Sequence, residues 1–126
     1  PVTVIVTGAR ETAAALMASI ALMERNATTA VAVTAGKVKR SAAQRISGHA
    51  HLPAYPSSIT YDVTRGPAGP EAEIGPDKGR RQGPLGNIVE YGTRNNAPIP
   101  HLGPALEEHA DDLIRGVEIA VWQALR

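Results

Sequence analysis

Residues 9–47, ARETAAALMASIALMERNATTAVAVTAGKVKRSAAQRIS, contain no proline, and along them Leu16, Ile20, Met23, Ala27, Val31, Thr34, Val38, Ala42 and Ile46 recur at steps of three or four. That spacing places them on one face of a single long helix. Its weak place is Thr28 to Gly36, where β-branched residues gather ahead of a glycine; a kink or a short strand there is the competing reading. Upstream, Val2, Val4 and Val6 alternate with Thr3, Ile5 and Thr7, strand-like composition that predicts a short first strand ended by Gly8.

Downstream, Gly48, Pro53 and Pro56 close the helix. Ile59, Tyr61 and Val63 then alternate with polar partners, as do Ala72 and Ile74 with Glu71 and Glu73, and the turn-forming run Arg65-Gly66-Pro67-Ala68-Gly69-Pro70 lies between the two. This order predicts a β-hairpin. The stretch Gly75 to Gly86 is rich in glycine and basic residues and reads as a mobile loop. Leu85 to Tyr91 forms a brief helix closed by Gly92, and Pro98 and Pro100 hold residues 97–100 extended. Gly103 and Pro104 suit the cap and first position of a last helix, with Glu107, Glu108, Asp111 and Asp112 in its early turns and Arg126 at its end. Leu106, Ala110, Leu113, Val117, Val121 and Ala124 would form its buried face. The result is one α+β domain spanning residues 1–126, with no internal repeat and no linker.

Composition narrows the function. The chain has 126 residues, enough for one core. Hydrophobic residues make up 43% of it but aromatics only 3%, with no Phe and one Trp. A core of Ala, Val, Leu and Ile buries little area per residue, so apolar contacts with neighbouring subunits are expected to complete its stability. No cysteine is present, which removes disulfides, thiolate metal sites and thiol catalysis together. No apolar run reaches membrane-spanning length and residues 1–25 lack a signal-peptide pattern, so a soluble protein made in the cytoplasm is expected. The net charge of +1 does not announce nucleic-acid binding.

Chemistry-bearing patterns are weak. His49 and His51 sit in a loop without a nearby carboxylate, and His101 and His109 belong to no metal-binding motif, so exposed or interface roles are expected and no metal or cofactor. Glu107 and Asp111, like Glu108 and Asp112, share a helix face, yet a solvated helix start or a charged subunit contact accounts for them better than acid–base chemistry. Ser41, Ser47, Ser57 and Ser58 have no nucleophile elbow or triad partners. Gly8 stands where phosphate loops sit but lacks their further glycines and lysine. No catalytic residue is expected. The strongest polar signal is basic: Lys37, Lys39, Arg40 and Arg45 on the long helix, with Lys78, Arg80 and Arg81 in the loop. Solvated surface is the leading reading, ahead of contact with an acidic patch of a neighbour and then of DNA, for which stacking aromatics and a recognised motif are missing.

The order Ile59-x-Tyr61-x-Val63, Ala72-x-Ile74-Gly75-Pro76, Val89-Glu90-Tyr91-Gly92-Thr93 and Pro98-x-Pro100-x-Leu102-x-Pro104-Ala105-Leu106 resembles the small phage tail-component family of long-tailed bacteriophages, tail-completion or head-to-tail joining proteins of the virion neck. The resemblance covers about residues 57–126, with the long helix agreeing in placement only. It implies a long helix and a terminal helix packed on a small, mainly antiparallel sheet. It also implies a subunit of a ring, commonly sixfold, between the head connector or stopper and the tail terminator or tail tube, assembled in the host cytoplasm. A tail terminator capping the tube fits the same pattern. His49 to Pro56 departs from the family, where a basic residue and a Thr-Gly pair often precede the hairpin. Tyr91 is expected to bury its ring while its hydroxyl finds a partner, Gly92 to take a left-handed turn, and Pro98, Pro100 and Leu102 to shape the approach to the last helix. The Gly75 to Gly86 loop is expected to act as an arm that orders on assembly.

Overall fold

A computed structural model describes residues 2–5 and 7–126. Gly8, at φ 83°, turns the chain into helix α1, Ala9–Arg45, which is continuous for 37 residues or about 55 Å. The Thr28 to Gly36 window does not interrupt it. Thr28 and Thr29 donate their hydroxyls to the carbonyls of Glu24 and Arg25, at 2.8 and 3.2 Å, and Thr34, Ala35, Gly36 and Val38 are buried. Packing there outweighs the poor helix propensity of β-branched residues.

The hairpin pairs β1, Ile59–Gly66, with β2, Gly69–Pro76, in an antiparallel register that sets Tyr61 opposite Ile74 and Val63 opposite Ala72. Those residues face α1, with the Tyr61 ring over Gly36. The outer face sets Asp62 opposite Glu73 and Thr64 opposite Glu71, all exposed. After a turn of 3-10 helix at Gly83–Leu85, the short helix α2, Gly86–Tyr91, ends at Gly92, whose φ of 75° with ψ 179° is a glycine conformation but an extended one, not the left-handed helical turn expected. A side chain at Gly92 would lie 2.7 Å from the Asn96 carbonyl and the Pro98 nitrogen, so only glycine fits.

Helix α3, Leu102–Leu125, runs antiparallel to α1: Arg45 meets Glu108, Lys37 meets Asp112, and Gly116 sits so close to Ala30 that a Cβ there would be 3.1 Å from the alanine methyl. α3 begins two residues earlier than expected from sequence, with His101 and Leu102, not Gly103 and Pro104, in the cap and first helical positions. Its buried face also differs: Ala105, Ala120 and Ala124 are buried, Leu113, Val117 and Val121 half-buried, and Leu106 and Ala110 exposed. Small side chains allow the close crossing, and the larger Leu106 is turned outward by it.

The core lies at one end. Val38, Ala42 and Ile46 meet Tyr55, Ile59, Val89 and Ala105 there, closed by Leu52, Ile74, Leu85, Ile99 and Leu102. At the opposite end α1 overhangs. At about 36 Å α3 is roughly 20 Å shorter than α1, and residues 9–18 are exposed on every side. Val2 to Ile5 and Thr7 form no strand, contrary to the alternation of Val and Thr, because no described residue pairs with them; Val6 lies outside the described residues. Among the described residues no helix is long and apolar enough to cross a membrane.

Candidate functional site

The seven basic residues singled out by sequence fall into two clusters with unequal freedom. On α1, Lys37, Arg40 and Arg45 line a groove of about 370 Å³ against α3, together with Ser41, Gln44 and His109. Two of these cations are already engaged: Arg45 donates to Glu108 at 2.8 Å, and Lys37 lies 3.8 Å from Asp112. In the loop, Arg80 is 3.6 Å from Asp77 and donates to the Ser57 carbonyl at 3.1 Å. Lys39, Arg40, Lys78 and Arg81 have no acidic side chain within salt-bridge distance among the described residues. The acids Asp62, Glu71 and Glu73 on the outer hairpin face are likewise without cations.

The acidic start of α3 is thus mostly an internal clamp. Glu108 accepts from the Ser41 hydroxyl at 2.7 Å and from Arg45, and these two hydrogen bonds hold its carboxyl below the usual range. Asp112 is held low by the hydrogen bond from His109 Nδ1, at 2.8 Å, and then by the charge of Lys37. Glu107 and Asp111 remain exposed. His49 and His51 are exposed as well, and among the described residues no group of three or more His, Asp or Glu side chains could hold a metal ion.

The loop after β2 is not the free segment its composition predicts. Gly75 and Pro76 belong to β2, the Asp77 N–H donates to the Ser58 carbonyl at 2.8 Å, and Gln82 bridges back to the preceding passage. Its Oε1 accepts from the Ala54 N–H at 2.8 Å and its Nε2 donates to the His51 carbonyl at 2.9 Å. A Cβ on Gly83 would fall on the Asp77 carbonyl. Glycines here permit tight turns and close approach.

Sequence patterns missed the best-built polar site. Tyr55 is fully buried, and its hydroxyl is hydrogen-bonded to His101 Nε2 at 2.7 Å. His101, expected at a surface or interface, is also fully buried; its Nδ1 donates to the Ile99 carbonyl at 3.0 Å. The same Nδ1 lies 3.1 Å from Glu90 Oε1. Glu90 sits beside it and receives the backbone N–H groups of His101 and Leu102, at 3.0 and 2.7 Å, and of Gly103 at 3.5 Å. A carboxylate carried by α2 thereby caps α3. Burial works to raise the Glu90 pKa, but the Leu102 and His101 N–H groups, the facing His101 ring and the Gly103 N–H outweigh it and hold the carboxyl low. Burial, and then the charge of Glu90, push the Tyr55 phenol up to about 12. No buried side-chain polar atom lacks a partner among the described residues, so the cluster is closed on itself and serves the fold.

Of the residues expected to shape this region, Leu102 packs against the core and Pro98 and Pro100 are exposed along a passage anchored by the Ile99 N–H on the Val89 carbonyl, at 2.8 Å. Tyr91 corrects its expectation: the ring is 78% exposed, since α2 turns Val89 and Glu90 inward. The buried tyrosine is Tyr55. Exposed apolar side chains concentrate instead at the overhanging end, where Leu16, Met17 and Ile20 of α1 and Trp122 and Leu125 of α3 face solvent. Comparisons of the chain with protein-family models, with curated proteins and with solved structures give no match.

Proposed function

We propose that the chain is a structural subunit of a bacteriophage virion neck, a head-to-tail connector or tail-completion protein that forms a homo-oligomeric ring and acts without a catalytic site or cofactor. The observation that carries the reading is the overhanging end. Met17 is 70% exposed and Trp122 69%, on a chain that has one Trp and no Phe. A small domain places its only tryptophan and a leucine–methionine helix stripe in water when a neighbour covers them. The α+β architecture of a long helix, a hairpin and a terminal helix agrees with what the Glu90-Tyr91-Gly92-Thr93 and Pro98 to Leu106 resemblance implies. In such a ring the unpaired Lys39, Arg40, Lys78 and Arg81 face an adjoining ring or the DNA passage. The test is the mass of the purified protein by light scattering, alone and mixed with the head and tail proteins, with negative-stain imaging. Rings support the reading, and a monomer that ignores those proteins overturns it.

The same four unpaired cations favour a second reading, a module that binds nucleic acid through its phosphates. Binding that falls steeply with salt and is abolished by Arg80→Glu with Arg81→Glu would select it over the ring.

A further inference from the structure

We infer that residues 2–5 of one copy add as a third strand to the free edge of β1 in a second copy; this rests on the ring reading above. Val2, Thr3, Val4 and Ile5 lie in no helix, strand or turn, and Val2, Val4 and Ile5 are 92%, 81% and 78% exposed. All four are β-branched and none is charged, the composition that pairs most readily as a strand. The hairpin has only two strands among the described residues, so each of its edges presents unpaired N–H and C=O groups. β2 carries Pro70 and Pro76 and lies on the side of Leu102 and Leu106 of α3. β1 contains no proline, so every residue keeps its N–H. Beside β1 runs a groove of about 400 Å³, lined by Ala21, Arg25 and Thr28 of α1 and by Val63, Thr64 and Arg65 of the strand. An added strand would lay alternate side chains into that groove and the others outward.

Residues 2–5 of the same copy cannot fill the place. Glu24 is ion-paired to Arg65 near the hairpin tip, and Ala9 lies about 22 Å further along the helix. Residues 2–7 span about 20 Å when extended. Folded back, they reach the tip of their own hairpin but cannot lie along β1. The overhang of α1 instead carries them away from the body, toward a neighbour, and the exposed Leu16, Met17 and Ile20 travel with them.

Two measurements on the full chain test this. Val4→Pro removes a ladder N–H on a fully solvated residue, whereas Val4→Thr keeps the β-branched shape. Val4→Pro is expected to raise the concentration at which rings form by about tenfold or more, and Val4→Thr to leave it within about twofold. The chain has no cysteine, so a Val4→Cys chain can be mixed with chains carrying a single cysteine at position 61, 62, 63 or 64. Disulfides between chains are expected at alternate positions only, as a strand requires. Rings that ignore Val4→Pro, or disulfides at none or all four positions, overturn the strand exchange and leave the ring standing. A chain that stays monomeric beside the head and tail proteins overturns both.

Discussion

The two halves of α1 carry the same apolar repeat and meet different surroundings. From Thr34 to Ile46 the repeat is buried against Tyr55, Ile59 and Ala105, while Leu16 and Ile20, on the same stripe, stand in solvent. Periodicity therefore specifies which face of a helix is sticky, not whether this chain itself covers it. The half that is covered folds the domain; the half that is not is available to a partner.

The sharpest break of that comparison is Ile46→Ala. Ile46 is fully buried, so its truncation should cost about 2–5 kcal/mol of unfolding free energy in urea melts. The Glu90 cap comes next. Glu90→Ala strips the partner from three N–H groups at the start of α3 and should cost about 1–3 kcal/mol. Because the folded carboxyl is held low, its contribution is full above the ordinary glutamate range and lost as pH falls through the lowered value. Glu90→Gln should accordingly shrink the fall in thermal midpoint on acidification, with Glu108 and Asp112, also held low, retaining the remainder.

Gly36→Ala acts in the opposite direction. The position is helical, and an added methyl would meet Tyr61 at 3.9 Å and an Arg40 nitrogen at 3.4 Å, ordinary contacts. A gain of about 0.5–1 kcal/mol is expected in the same melts. The smallest effect should be that of Leu16→Ser on the overhang, within about 0.5 kcal/mol for the isolated chain. Its signature is a weakened assembly by light scattering at unchanged stability. A Leu16→Ser chain that unfolds as easily as Ile46→Ala would erase the contrast between the two halves.

Much of the fold was legible because its signals are local. The proline-free run of residues 9–47, the hairpin around Gly66 to Gly69 and the helix stop at Gly92 each declare themselves within a few residues. What stayed hidden depends on partners far along the chain. Tyr55 and His101 are 46 positions apart, and nothing near either marks it as buried. Glu90 looked like one letter of a motif, whereas its work is to cap a helix 11 to 13 residues later. The Val-Thr alternation before Gly8 states a propensity, and a strand needs an edge to pair with. Of the basic candidates, Lys37, Arg45 and Arg80 were spoken for by Asp112, Glu108 and Asp77, a fact visible only once α3 and the loop turns are in place.

The close crossing of Ala30 and Gly116 also bears on how the protein is made. Contacts such as Ser41 with Glu108 join residues 67 positions apart, so α1 is synthesised well before the helix that covers it. At about 5–20 residues per second, the nascent chain waits several seconds with that face open. A stripe of leucine would be a hazard to a growing chain during such a delay. The alanines of that face, Ala30 and Ala42, offer other chains little to hold, and become firm contacts only when Gly116 and Ala105 of α3 draw close.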